Sequence, residues 1–204
     1  MGKLIFLIQI IIFYLTFTGQ QLLSNEINDH RISVLVNDEV ITSYDIIQRT
    51  KMNAIVNGVT ITPENKQAFI NSIVDELIGE KLKNEKFIEY NVNVTIDEIR
   101  NYENDFYSRK EISKEDLFKI FADNNILYKN LEDYFITEIS WQKLIAGLYY
   151  RLTSASEIEI DNLISKNPSI NYEQAKNEIV QRQLDLKSNK LLRDMFNEAT
   201  IEFR

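Results

Sequence analysis

Ile32, Val34 and Val36 alternate with Ser33 and Leu35, and Val40-Ile41 follows Asn37-Asp38. The period of two predicts a pair of short strands around a two-residue turn, since Asn and Asp tolerate the positive φ that such turns require. A lone hairpin is marginal in water, so it needs a third strand or a helix against it. From Ser43 the spacing predicts a helix to about Val56, with Asp45 in its first turn and Asn57-Gly58 as its stop. The period then stays helical. Ile70, Ile73, Val74, Leu77, Ile78 and Leu82 predict one long amphipathic helix from Pro63 to about Tyr90, opened by Thr62-Pro63-Glu64 as N-cap, first-position proline and first-turn acid. Thr95 with Glu98 and Ser154 with Glu157 each spell a capping box, and Ser113 with Asp116 does similar work. A second stripe runs through Leu131, Tyr134, Trp141, Ile145, Leu148 and Leu152, broken by Glu138. A third joins Val180, Leu184, Leu191 and Met195, broken by Ser188. The closing "TIEFR" is β-branched and aromatic, and is expected to be the strand the hairpin lacks. The expected fold is therefore mainly α, a multi-helix core with a small β-sheet formed by the N-terminal hairpin and the C-terminal strand. Only Asn167-Pro168 reads as a joint, so residues 25–204 are taken as one domain, with 171–204 closing it.

The segment before the hairpin has a different pattern. Lys3 precedes an apolar run from Leu4 to Phe17 broken only by Gln9 and Thr16, the layout of a secretory signal. It falls short of the roughly 20 residues that span a bilayer, and Leu22-Leu23-Ser24 makes a poor small-x-small cleavage site. Residues 1–24 are expected to be a signal peptide or an N-terminal anchor, which is the chain's one expected membrane contact. Export to a periplasm follows, where no ATP is available. The formal net charge of −8 becomes −9 without this segment, because it carries Lys3 and no acid. With a pI near 4.9 and no basic stripe, nucleic acid is not an expected partner. The absence of cysteine excludes thiolate catalysis and cysteine-ligated zinc.

Candidate chemistry is sparse. The glycines are not spaced as a phosphate loop or a dinucleotide fingerprint, and His30 stands alone in the polar lead-in, so neither a metal, a cofactor nor a catalytic triad is expected. Asp97-Glu98, Glu115-Asp116 and Glu132-Asp133 are the acid pairs available to a carboxylate-based hydrolase. Each lies in the first or second turn of an expected helix, where negative charge is favoured, and neighbours on a helix point about 100° apart. Aromatics are plentiful by contrast, 11% of the chain, and they crowd its middle. The helix from Leu127 to Leu152 is apolar on more than one face, so it is either enclosed or presents a surface to a partner. Thin helical layers make full enclosure difficult, and some of that surface is expected to be open. Tyr102, Phe106, Phe118 and Phe121 are nominated as contacts, with core packing the competing fate of each.

Four segments in order resemble the core of the SurA-type periplasmic chaperones. They are "ISVLVNDEVITSYDIIQR" as the opening hairpin and helix, "INSIVDELIGEKLKNEKFIEYNVNVTIDEI" as the long helix, linker and next helix start, "ITEISWQKLIAGLYYRLTSASEIE", and the closing "LLRDMFNEATIEFR". The resemblance implies that the first hairpin pairs with the last strand. It implies an ATP-independent holdase whose partners are unfolded or nascent outer-membrane proteins. Family members usually carry parvulin-type prolyl isomerase domains before the final helix. Here only Asp161 to about Asn171 occupies that place, so no isomerase activity is expected. Two other readings stand beside this one: an envelope assembly or scaffolding subunit docking one specific folded partner, and the carboxylate hydrolase, which requires a deep cleft with two facing acids of perturbed pKa.

Overall fold

The computed structural model describes residues 30–204; the expected signal or anchor lies outside the described residues. Strands β1 (Ile32–Val36) and β2 (Glu39–Thr42) form the hairpin. Seven α-helices follow: α1 (Ser43–Val56), α2 (Lys66–Glu89), α3 (Ile96–Lys110), α4 (Lys114–Asp123), α5 (Lys129–Tyr149), α6 (Glu157–Lys166) and α7 (Tyr172–Glu198). A 3₁₀ turn at Tyr150–Leu152 ends α5, and β3 (Ile201–Phe203) completes the sheet. Its order is β2-β1-β3, antiparallel throughout, so the first strand is central and the last one flanks it.

Asn37 holds this closure together. Its φ of 50° turns the hairpin, a conformation that asparagine tolerates better than most residues. Its backbone N–H donates to the Thr200 carbonyl at 2.8 Å, its Oδ1 accepts from the Thr200 N–H at 2.9 Å, and its Nδ2 donates to Glu85 at 2.8 Å. One turn residue thus ties the hairpin to the C-terminal strand and to α2. Val34, Val36 and Ile41 point from the sheet into an aliphatic core with Ile73, Ile78 and Leu82 of α2, Leu144 and Ile145 of α5, and Leu184 and Met195 of α7.

Helix α5 is the hub. It packs against α1, α2, α3 and α7, and Leu131, Phe135, Ile139, Trp141, Leu144 and Ile145 are all buried along it. These neighbours bury most of its apolar side chains, and the expected open surface is left in part: over the expected span Leu127, Ile136, Tyr150 and Leu152 are exposed. The polar breaks in the stripes are answered in kind. Trp141 Nε1 donates to Ser188 Oγ at 2.8 Å, and Lys83 pairs with Glu138 at 3.2 Å. Each of these two breaks has a partner, which removes the cost of desolvating it alone.

Two helix starts differ from expectation. α2 begins at Lys66, because the Asn65 side chain accepts from the Thr62 N–H and donates to the Thr60 carbonyl, at 2.8 and 2.9 Å, holding 63–65 in a turn. Such local side-chain bonds compete with the helix. The box expected at Ser154 and Glu157 lies two residues on, at Ser156 and Glu159. Gln183 bonds both the N–H and the carbonyl of Ser154, at 3.1 and 2.7 Å, and so keeps it in the loop. The joint at Asn167-Pro168 turns α6 back on the first half of α7 over a small core of Ile160, Ala175 and Ile179.

Candidate functional site

A second core, rich in rings, lies between α1, α3, α4 and α5. Phe135 is its centre, with ring centroids 4.8 Å from Phe106 and 5.2 Å from Tyr102. Leu117 and Phe121 of α4, Ile126, Leu131 and Met52 complete it. Beside it opens a groove of about 580 Å³ whose apolar lining is Met52, Val56, Tyr102, Phe106, Leu131 and Tyr134, a volume within the range of small-ligand pockets. Burial pushes the hydroxyls of Tyr102 and Tyr134 above their ordinary pKa, so both stay neutral hydrogen-bonding groups. Charges ring the lining: Glu76 and Glu138, and, from the last turn of α3, Arg109 and Lys110.

The wall between this groove and a second, polar cavity of about 370 Å³ is an ion cluster. Arg49, 6% exposed, reaches Glu76 at 2.6 Å and grips Glu80 with both guanidinium nitrogens, 2.8 Å from the Nη2 side. Asn53 donates to the other Glu76 oxygen at 2.7 Å, and the guanidinium lies 5.5 Å over the Tyr134 ring. Burial raises the Glu80 carboxyl above its ordinary value, against the pull of Arg49. The sequence signal for this cluster was one cation on the apolar side of α1, between Ile46 and Met52; only its partners on α2 show what it holds.

The four nominated aromatics have different fates. Phe121 and Phe106, 1% and 6% exposed, are core residues and offer a ligand almost no surface in this conformation; α4 and α3 turn them inward against Phe135. Tyr102 is half-buried and lines the groove. Phe118, 54% exposed, projects from α4 against Tyr128, ring centroids 5.7 Å apart, with Leu127 beside it 53% exposed. This corner is held by polar ties: Tyr107 and Tyr128 share a hydroxyl bond of 2.5 Å, Tyr128 donates to Glu103 at 3.2 Å, and Lys114 pairs with Glu103 at 3.1 Å. Arg109, Lys110, Tyr134 and Met52 were not among the nominated residues. Tyr134 stands in the second apolar stripe, but nothing in the linear pattern marks the four as a set, because three helices must meet before they share a groove.

The acid pairs have structural employment. Glu98 closes the α3 capping box and meets Lys143 at 2.7 Å, which with the backbone bond at Thr95 lowers its pKa to about 2. Asp116 bonds Ser113, and Asp133 pairs with Lys129 at 2.6 Å. In the groove, Glu76 and Glu138 are each engaged by a cation, Arg49 and Lys83. Among the described residues no group of three or more His, Asp or Glu could hold a metal ion, and no helix is long and apolar enough to cross a membrane.

No protein-family model and no curated protein matches this chain. A solved structure overlies 85% of it and 98% of its own chain, at a TM-score of 0.44 and 14% identity. It comes from work describing the virulence factor PEB4 and the periplasmic protein Cj1289 of Campylobacter jejuni as two structurally related SurA-like chaperones. At that distance the likeness says nothing of what this chain binds, since even a shared fold leaves function to the site.

Proposed function

We propose that this chain is an ATP-independent chaperone of the periplasm, a holdase that shields unfolded outer-membrane-type proteins. The observation that carries the reading is the α4–α5 corner, where Leu127 and Phe118, the latter against Tyr128 of the ring core, stand in water; the same core borders an open groove lined by rings. Exposed Leu152 and Leu186 add apolar ground near the end of α5 and on α7. Covering about 400 Å² of apolar client surface is worth roughly 10 kcal/mol at about 25 cal/mol per Å², against about 4–15 kcal/mol for association. The surplus is small, so binding is weak, fast and tolerant of sequence, and release needs no energy source. Outward apolar bands of unfolded β-barrels are suitable cargo.

The test is light scattering of a porin diluted from denaturant. The full chain delays aggregation without nucleotide, and no delay at any molar excess rejects the reading. A scaffolding subunit would instead capture one folded partner at fixed stoichiometry and leave the porin to aggregate. A proline-peptide assay is expected to show no isomerase activity.

A further inference from the structure

The charged residues of the polar cavity of about 370 Å³ between α1, α2 and α5 are already answered within the protein. Arg49 holds Glu80, Lys129 holds Asp133, Glu39 holds Lys81, and Asp45 closes the start of α1 by accepting from the Thr42 N–H and hydroxyl. The neutral residues are answered only in part. Gln48 is spent: its amide donates to the Asn125 carbonyl, and its oxygen accepts from the Leu127 N–H and from Asn130 Nδ2. That last bond fixes the Asn130 side chain and leaves Asn130 Oδ1 without a donor among the described residues. Asn84, exposed at the mouth, makes no hydrogen bond with another described residue. Thr137 is the sharper case. It is 8% exposed, lines the cavity from α5, and its hydroxyl has no partner among the described residues. A hydroxyl so placed costs free energy unless something bonds it. It is also not sealed in. Among the described residues, the side-chain polar atom that is fully occluded without a partner is Thr50 Oγ1, so Thr137 Oγ1 has open space before it.

We propose that this cavity binds a small neutral polyol, a hexose or a sugar alcohol, whose hydroxyls are met by Thr137 Oγ1, Asn130 Oδ1 and the Asn84 amide. The chemistry of the lining selects the class. Asp45, Glu80 and Asp133 share the wall with Arg49 and Lys81, so a ligand of either charge displaces an existing pair or meets a like charge, a cost that a neutral ligand avoids. An alcohol both donates and accepts, which suits unspent groups that are an acceptor, an amide and a hydroxyl on two helices. Ile41, Leu77 and Ile136 supply apolar ground for the C–H face of the carbon skeleton. The volume lies near the lower end of small-molecule pockets, about 300–1,000 Å³, which is the scale of a single sugar. The inference goes beyond the chaperone reading and does not depend on it.

The test is equilibrium dialysis of the full chain against radiolabelled sorbitol, gluconate and glucamine, which share one skeleton and are neutral, anionic and cationic at pH 7. Sorbitol is expected to bind saturably with a Kd of about 1 mM, and its charged relatives at least about tenfold more weakly. T137V keeps the shape of the side chain and removes the hydroxyl. Because that hydroxyl has no protein partner to lose, the variant's midpoint in urea is expected to equal or exceed that of the wild type. Its affinity for sorbitol is expected to fall about tenfold, the scale of one hydrogen bond. N84A, altered at the exposed mouth, is expected to weaken sorbitol by a smaller factor without moving the midpoint. Sorbitol uptake that rises with concentration and never saturates overturns the proposal, and so does equal affinity for the three ligands or wild-type affinity in both variants. A lowered midpoint in T137V overturns it too, since the hydroxyl would then have been bonded within the protein. No client is present in the dialysis, so failure with porin leaves this inference standing, and failure here leaves the chaperone reading standing.

Discussion

The core beneath the sheet draws its side chains from both ends of the described chain, Val34 and Val36 from one and Met195 and Ile201 from the other, whereas the aromatic core takes everything from residues 52–135. The first is largely aliphatic and joined by backbone bonds across the sheet. The second is built of rings, four of them tyrosines whose hydroxyls need partners, and it borders the open groove. Branched aliphatics interdigitate and close a volume; the ring core leaves a slot beside it, lined by Tyr102 and Tyr134. The same chain thus has one region made to hold its ends together and one made with a surface to spare.

Truncating the centre of the ring core is the strongest way to break that comparison. Phe135→Ala removes a fully buried ring and is expected to cost about 3–5 kcal/mol, read as a lowered midpoint in urea. Its effect should concentrate on α3 and α4 in hydrogen exchange and spare the sheet. Arg49→Met tests the wall between the cavities. It leaves the buried Glu80 without its cation, for about 3–5 kcal/mol at neutral pH. Glu80 is already raised above 4.5 by burial, and losing the guanidinium raises it further. A raised acid favours folding below its unfolded pKa and costs stability as pH climbs through the folded value. The deficit of R49M relative to the wild type should therefore shrink on acidification toward pH 4.5; a deficit that stays constant would refute the account.

Removing residues 200–204 is expected to cost at least about 3 kcal/mol, at roughly 1 kcal/mol for each of the three bonds that Thr200 and Arg204 make to Asn37 and Ser33, with the β1–β3 ladder and the packing of Ile201 lost besides. Amide exchange should quicken in β1 while α3 keeps its protection, the mirror image of Phe135→Ala. The smallest change in stability sharpens the functional side. Phe118→Ser, at an exposed site, should shift stability by no more than about 0.5 kcal/mol, yet reduce the delay of porin aggregation. Unchanged holding by F118S would move the client surface away from the α4–α5 corner.

Much of this architecture is written in short-range chemistry. The hairpin, the capping box at Thr95, the N-cap at Ser113 and the closing strand all follow from side chains that act on backbone within three or four residues, or from a period of two or 3.6 that one face must bury. The sharing of Glu138 and Ser188 with distant partners was not legible, since a polar break in a stripe shows only that a partner is needed and leaves its identity open. Nor was the displaced box at Ser156, which depends on Gln183, 29 residues from the loop it binds.

The sequence alone therefore determined which segments are helix and strand, because that depends on local geometry, and a hairpin in need of a third strand pointed to the closing segment; that β3 takes the β1 edge was decided by the tertiary structure. Tertiary structure decided which apolar residues are spent. The stretch 127–152 looked greasy enough to bind a partner, and packing buries its centre while leaving Leu127, Ile136, Tyr150 and Leu152 open; Phe118, in a short and otherwise ordinary helix, is left in water too. Exposure is a property of what packs against a residue, and α5 met four helices where α4 met mainly the flank of one ring core. The groove belongs to that second kind of fact: it exists only where α1, α3 and α5 converge.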